Sequence, residues 1–149
     1  MDKIIKSQIS YGKNVYGSEE INAVLKRIKQ TTQMSTSVKT FEKKIAKKFN
    51  KKYGIMVNSG SSAIHLALKI LNLKENSEVI VPCLNFGTAI SSLMFCNLKP
   101  IFLDVNINTL QINEDLIEKK INSKTKAIMV PNLIGNIPNW EDIRRIAKK

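Results

Sequence analysis

Histidine and cysteine are scarce in this sequence of 149 residues. His65 is the one histidine, and Cys83 and Cys96, the two cysteines, lack the close spacing of metal ligands. A structural zinc site needs four such ligands, and a Ser-His-Asp triad needs a histidine beside a nucleophile. The sequence therefore predicts no metal site and no such triad. It predicts two free, buried thiols and assigns His65 to packing or to the surface.

Long apolar runs are also missing. No stretch is long enough to span a membrane, and residues 1–10 contain too few consecutive apolar residues for a secretory signal. Together with the unpaired cysteines, this predicts a cytoplasmic protein without a membrane partner.

Acidic residues are few, with 12 against 24 basic ones, and the formal charge is +12. Such a charge favours a nucleic-acid-binding module, since clustered cations neutralise phosphates. Here the lysines are spread over nearly every predicted helix. The one dense run, Lys43 to Lys52, shares its helix with Phe41, Ile45 and Phe49 on the other face, which is typical of a solvated surface. We therefore predict no nucleic-acid partner and keep the basic module as an alternative function.

The pattern of apolar residues changes near residue 50. Before it, Ser18 is the predicted cap of one helix and a second helix covers 37–50, so residues 1–50 form a helical arm. From residue 51 to 149, short apolar strands alternate with helices, a pattern typical of βαβ units. We predict an α/β fold of three layers, α/β/α, with a mostly parallel sheet of at least four strands. The predicted strands are 54–58, 78–82, 101–105 and 126–130, and the helices that follow them are 63–71, 86–96, 113–121 and 139–148.

The first strand–turn–helix, residues 54–71, has the form of an anion site. The turn, Asn58 to Ser62, is made of small residues, and Gly60 would let a ligand approach the main chain closely. Free N–H groups and the dipole at the start of a helix favour a phosphate. The alternative is a serine-capped helix that binds nothing.

Ligands of open parallel sheets bind at the carboxyl ends of the strands. Phe86 follows the second predicted strand, where its ring could cover a flat heteroaromatic ligand or could simply belong to the core. Asp104 lies at the carboxyl end of the third predicted strand and is expected to bond the next turn. Asn113 and Asn139 are predicted helix caps.

Three segments together resemble the DegT/StrS family of pyridoxal-phosphate-dependent enzymes that modify nucleotide-linked sugars. They are VNSGSSAIHLAL (57–68), SEVIVPCLNFGTAISSLMFCNLKPIFLDVNINTLQIN (77–113) and TKAIMVPNLIGN (125–136). The resemblance covers roughly residues 10–149. It implies pyridoxal phosphate as cofactor, the large domain of the fold type I transferases from residue 51 onward, and a homodimer with its active site between subunits.

The resemblance also implies roles for particular residues. Gly60, Ser61 and Ser62 correspond to the family's phosphate-binding turn, and Phe86 to the aromatic ring that stacks on the pyridine. The acidic partner of the pyridine nitrogen and the lysine that bonds the cofactor would lie beyond Lys149, so no catalytic residue is predicted here. The last helix has no stop signal, and we expect a truncated chain that is inactive alone.

The activity implied is amino transfer from a donor such as glutamate to a nucleotide-linked keto-sugar, for cell-surface polysaccharide or secondary-metabolite sugars. The alternative within the family is a nucleotide-hexulose 3-dehydratase, in which a histidine replaces the lysine. The 58–62 turn and the 132–136 loop resemble the dehydratases, whereas residues 64–68 resemble the aminotransferases.

Overall fold

The computed structural model describes residues 12–30, 33 and 36–149. Backbone contacts divide the chain into two units, Met1–Met56 and Val57–Lys149, which are described in turn. The prediction about a signal in residues 1–10 lies outside the described residues, and the domain boundary at residue 50 stays a prediction. No helix in the described ranges is long and apolar enough to cross a membrane.

The first unit contains two amphipathic helices, α1 (Ser18–Gln30) and α2 (Thr36–Lys48). Ser18 was predicted to cap α1 but is its first residue. Gly17 takes the cap position: its carbonyl accepts the Ile21 N–H, and its N–H donates to the Glu20 carboxylate at 2.7 Å. This hydrogen bond lowers the pKa of Glu20. No residue of α1 is buried, and Ala46 is the buried residue of α2. The apolar faces predicted from the sequence are therefore present, but they remain largely exposed.

The prediction of a strand at 54–58 is wrong for the described residues. This segment pairs with none of the three strands of the sheet. Its backbone is instead held by α2: the Met56 N–H donates to Glu42 Oε1 at 2.8 Å, and a Cβ added to Gly54 would lie 2.6 Å from the Glu42 carbonyl oxygen. An apolar run becomes a strand only beside a partner strand, because its N–H and C=O groups need the neighbouring backbone.

The second unit is built on a parallel sheet of three strands in the order β2-β1-β3. β1 (Glu78–Pro82) is central, with β2 (Lys99–Leu103) and β3 (Thr125–Ile128) on either side. Ile80 is opposite Ile101 in β2 and Ile128 in β3. The parallel sheet is confirmed, with three strands where at least four were predicted.

Four α-helices accompany this sheet: α3 (Gly60–Ile70), α4 (Gly87–Phe95), α5 (Ile117–Lys120) and α6 (Trp140–Ala147). Short 3₁₀ turns cover Glu114–Leu116 and Leu133–Gly135. The predicted caps are confirmed, since the Asn113 side chain accepts the Asp115 N–H and the Asn139 side chain accepts the Asp142 N–H.

The side chains of β1 alternate between two apolar cores. Val79 and Val81 pack with Leu68 of α3 and Leu93 of α4. Ile80 points the other way and packs with Ile117 of α5 and with Ile143 and Ile146 of α6. Successive side chains of a strand point to opposite faces, so helices cover both sides of the sheet. The predicted three-layer α/β/α fold is confirmed.

Candidate functional site

The start of α3 offers free backbone donors. Ser59 caps the helix: its hydroxyl oxygen accepts the Ser62 N–H at 3.1 Å, and its carbonyl accepts the Ala63 N–H at 3.0 Å. Within the described part of the chain, the N–H groups of Gly60 and Ser61 have no hydrogen-bond partner. Two unpaired donors at the positive end of an 11-residue helix form a site that suits a phosphate.

The helix begins earlier than predicted. Gly60, Ser61 and Ser62 form its first turn, whereas the sequence analysis placed them in the preceding loop. Among the described glycines only Gly135 has a positive φ, so the backbone does not require glycine at residue 60. A Cβ added at Gly60 would meet no atom within 4 Å, so open space lies beside the two free donors.

Phe86 is presented at the carboxyl end of the central strand. It lies between β1 and α4, and its side chain is 68% exposed, so it does not belong to the core. The preceding residue fixes its backbone, because the Phe86 N–H donates to Asn85 Oδ1 at 2.8 Å. The other end of that amide, Asn85 Nδ2, is buried and has no partner among the described residues. No role was predicted for Asn85, although a polar amide between a buried strand and an aromatic residue is a signal that could have identified it.

The neighbouring strands bring two more loops to the same edge of the sheet. Asp104, after β2, accepts the Val105 N–H at 2.8 Å through Oδ1, which confirms that it bonds the following turn. The Cys83 thiol lies 3.6 Å from the same oxygen. Because the sheet order is β2-β1-β3, the loop that carries Phe86 lies between Asp104 and the segment that follows β3.

The thiols are free, but the prediction that both are buried is wrong. Cys83 is exposed and Cys96 is partly buried. Cys83 directly follows β1 and is exposed at the carboxyl edge of the sheet. Cys96 Sγ lies 3.8 Å from His65 Nδ1, and the rings of His65 and Phe95 pack edge to face. The packing role predicted for His65 is confirmed.

A cavity of about 510 Å³ lies between α3 and α4, and Ser61, Ser62 and Thr88 line it near the start of the two helices. The first turn of α3 is therefore open to solvent on this side as well. No group of three or more metal-ligating side chains occurs in the described ranges.

These features agree with comparisons to known proteins. The model of the DegT/DnrJ/EryC1/StrS aminotransferase family matches residues 15–149, and the chain belongs to this family. The resemblance stated from the sequence is confirmed.

Two curated relatives illustrate the activities within the family. GDP-perosamine synthase of Escherichia coli O157:H7 is 38% identical over 111 residues, which are 74% of this chain and 30% of that protein. GDP-4-keto-6-deoxy-D-mannose 3-dehydratase of Yersinia pseudotuberculosis is 34% identical over 142 residues, 91% of this chain and 36% of that protein. The chain thus spans about a third of the length of these relatives.

Solved structures share the fold. The Escherichia coli GDP-4-keto-6-deoxy-D-mannose-3-dehydratase with bound hydrated PLP matches with a TM-score of 0.86 and 32% identity, covering 91% of this chain and 37% of that one. A Streptococcus pneumoniae protein named as a sugar aminotransferase, in its PMP form, has a TM-score of 0.87 at 22% identity over 94% of this chain and 36% of its own, a likeness of fold. The predicted cofactor is confirmed for these relatives, and the predicted fold type I architecture is confirmed for this chain.

Proposed function

We propose that this chain supplies the phosphate-binding turn and the ring-stacking residue of a pyridoxal-phosphate-dependent enzyme that modifies a GDP-linked 4-keto-6-deoxy sugar. The observation that carries the proposal is the pair of unpaired N–H groups at Gly60 and Ser61, beside open space. Family membership and the PLP in the solved relative support the choice of phosphate.

The main chain does most of the binding. The N–H groups of Gly60 and Ser61 donate to phosphate oxygens, and the helix dipole adds favourable electrostatics. Ser59 is not available for this, because its hydroxyl already caps α3. The Ser62 N–H is occupied by that cap, so Ser62 contributes through its hydroxyl, which lies 3.0 Å from the Ser59 hydroxyl. Ser61 contributes both an N–H and an exposed hydroxyl.

Phe86 provides an exposed aromatic face for the pyridine ring. Its backbone is fixed by Asn85, so stacking needs little further ordering of the main chain. The buried, unpaired Asn85 Nδ2 is a donor that an acceptor brought by the ligand or by another part of the protein would satisfy. Bound pyridoxal phosphate supplies an electron sink for chemistry at the carbon next to nitrogen. No residue of this chain is assigned a catalytic step.

Amino transfer to the keto group is the first candidate reaction, with glutamate as the amino donor. The 38% identity with a GDP-perosamine synthase supports it. Dehydration at carbon 3 is the second candidate, favoured by residues 132–136 and by the 34% identity with a 3-dehydratase over 142 residues. A basic module that binds nucleic acid has no comparable support.

Equilibrium titration of the complete gene product with pyridoxal phosphate tests the site. Gly60→Val should weaken binding at least about tenfold, because its side chain would fill the space beside the two donors. Ser61→Ala should weaken it by about 1 kcal/mol, the value of one neutral hydrogen bond. Phe86→Ala should also weaken it by removing stacking area.

The matched control is Gly12→Val, the same substitution in the first unit, where an added Cβ also meets nothing within 4 Å. It should bind the cofactor as the wild type does. Gly60→Val should keep its melting temperature, since neither a positive φ nor a clash opposes valine there. If Gly60→Val binds as well as the wild type, α3 is only a capped helix and the proposal is wrong.

The two reactions differ in their products. The complete gene product that carries this sequence should be incubated with GDP-4-keto-6-deoxy-D-mannose, glutamate and cofactor, and the sugar analysed by mass spectrometry. Gain of an amino group supports the aminotransferase, and loss of a hydroxyl supports the dehydratase. The residue at the position of the family's cofactor-bonding lysine gives an independent answer: lysine supports the aminotransferase, and a histidine in its place supports the dehydratase.

A further inference from the structure

One backbone conformation in the loop after β3 is unusual. Ile134 has φ 48° and ψ 26°, in the left-handed region. A β-branched residue is costly there, because its Cβ substituents crowd the backbone, whereas glycine or asparagine adopts the same conformation easily. The other described non-glycine residues with positive φ are four asparagines and Leu110.

The loop is anchored to its surroundings. The carbonyl of Leu133 accepts a hydrogen bond from Gln111 Nε2 at 3.4 Å, and Gln111 is only 4% exposed. Asn136 Nδ2 donates to the Thr109 carbonyl at 2.8 Å. Contacts on both sides of Ile134 therefore hold the unfavourable conformation in place. Backbone strain that the surroundings enforce in this way is concentrated at functional sites.

The side chain of Ile134 does not take part in this anchoring. It is 76% exposed, so burial gives no reason for an isoleucine at a position that suits glycine. The loop follows β3, the direct neighbour of β1, and so it lies beside the loop that ends in Phe86. An apolar side chain is thus exposed in a loop at the carboxyl edge of the sheet, the edge that also carries the proposed ring-stacking residue.

We propose that Ile134 is a specificity-determining residue that contacts the C6 methyl group of the 6-deoxy sugar. This inference rests on the function proposed above. The C6 methyl is the apolar substituent of such a sugar. Contact between this methyl and the Ile134 side chain would remove apolar surface of both from water. A sugar with a hydroxyl at C6 would leave that hydroxyl against an apolar surface and would bind less well.

The test measures the affinity of two sugars that differ only at C6, GDP-6-deoxy-D-mannose and GDP-D-mannose, for the complete gene product, loaded with pyridoxal phosphate. Three variants are compared: Ile134→Val, Ile134→Gly and Ile134→Asn. Valine keeps the β-branch and most of the apolar surface, so affinities and melting temperature should stay close to wild type. Glycine and asparagine should raise the melting temperature by about 3 °C through relief of strain. They should weaken binding of the 6-deoxy sugar about tenfold and binding of GDP-D-mannose less.

The matched control is Asn72→Gly, at another exposed left-handed residue, which follows α3 and lies away from the carboxyl edge. It should change neither affinity. The inference is overturned if Ile134→Gly and Ile134→Asn leave the ratio of the two affinities unchanged, or if they do not raise the melting temperature. A wild type that binds both ligands, with Ile134 variants that leave the ratio unchanged, overturns the Ile134 inference alone. A wild type that binds pyridoxal phosphate but not the nucleotide sugar overturns the proposed substrate as well, and one that binds neither also overturns the proposed cofactor site.

Discussion

The two units of this chain contain helices of similar amphipathic pattern, but the apolar faces of these helices differ in how far they are buried. In the first unit, α1 has Ile21, Val24, Leu25 and Ile28 on one face, and each of these side chains is 48–61% exposed. In the second unit, α6 is shorter than α1, and its Ile143 and Ile146 are each 4% exposed. Within the second unit, Ile143 and Ile146 of α6 pack with Ile80 of the central strand, and this packing buries them.

An amphipathic pattern therefore states that a helix needs an apolar partner and does not state which one. In the second unit, the apolar faces of the helices pack against the side chains on the two faces of β1. The first unit leaves an apolar stripe on α1 without a described partner. We expect the second unit to dominate the stability of the chain and the first unit to dominate its association.

The largest effect should come from the central strand. Ile80→Ala, at a side chain with 0% exposure, should lower the free energy of unfolding by about 3 kcal/mol through lost burial and a cavity. Ile28→Ala, the same substitution at 61% exposure in α1, should cost less than about 1 kcal/mol. Chemical denaturation of both variants measures the difference, and equal costs would show that α1 is covered in solution.

Association is the second expected difference. We expect this chain to form homodimers or larger assemblies through exposed apolar surface. Leu25→Lys, on the apolar face of α1, should shift the mass measured by light scattering toward the monomer. Lys29→Gln, in the last turn of the same helix, should not. A monomeric wild type at high concentration contradicts the prediction.

A smaller effect concerns the cap of α6. Asn139→Ala removes the acceptor of the Asp142 N–H and should destabilise the second unit by about 1 kcal/mol. Asn139→Asp keeps an acceptor oxygen and should retain most of the stability. Thermal unfolding of both variants separates the cap from other effects of the substitution; equal losses would argue against the cap.

The smallest stability effect should depend on pH. The hydrogen bond from Lys149 lowers the pKa of Glu118 below its usual 4.5, with Arg145 contributing as well. A carboxyl whose pKa is lower in the folded state stabilises the fold above its unfolded pKa, and this stabilisation disappears as the pH falls through the folded pKa. Wild type should therefore be slightly more stable than Glu118→Gln at neutral pH, and the difference should vanish in acid. Both groups are exposed, so a large difference would be unexpected.

We expect no binding of nucleic acid to this protein. Duplex binding measured at low salt should be absent, or its affinity should show almost no dependence on salt concentration. A steep salt dependence would support the basic module instead, and would give the lysines of α2 a role that their helix pattern does not predict.

Much of the second unit was predictable because each element has its own local signal. The strand 78–82 was predicted with the bounds that the structure shows, since Val79, Ile80 and Val81 form a run of β-branched residues. Asn113 and Asn139 were recognised as caps because asparagine followed by acidic residues is typical of a helix start. The start of α3 was placed three residues too late, because glycine and serines also suit a turn.

The residues of the candidate site were recognisable, but their geometry was not. Gly60, Ser61, Ser62 and Phe86 came from the sequence, and their role in cofactor binding stays a prediction. The Ser59 hydroxyl occupies the Ser62 N–H, and Asn85 Oδ1 accepts the Phe86 N–H; both are local hydrogen bonds whose side-chain rotamers the sequence pattern does not specify. Ile134 could not be found, since nothing in LIGN indicates that its isoleucine has a positive φ.

The sequence by itself determined the alternation of strands and helices, the parallel arrangement and the family, because periodicity, caps and motifs are properties of neighbouring residues. Only the tertiary structure decided which apolar segments find a partner. The run 54–58 has the composition of a strand, but its Met56 N–H binds a carboxylate of α2 and no strand lies beside it among the described residues. Pairing and burial depend on where distant segments lie, and no local pattern specifies that.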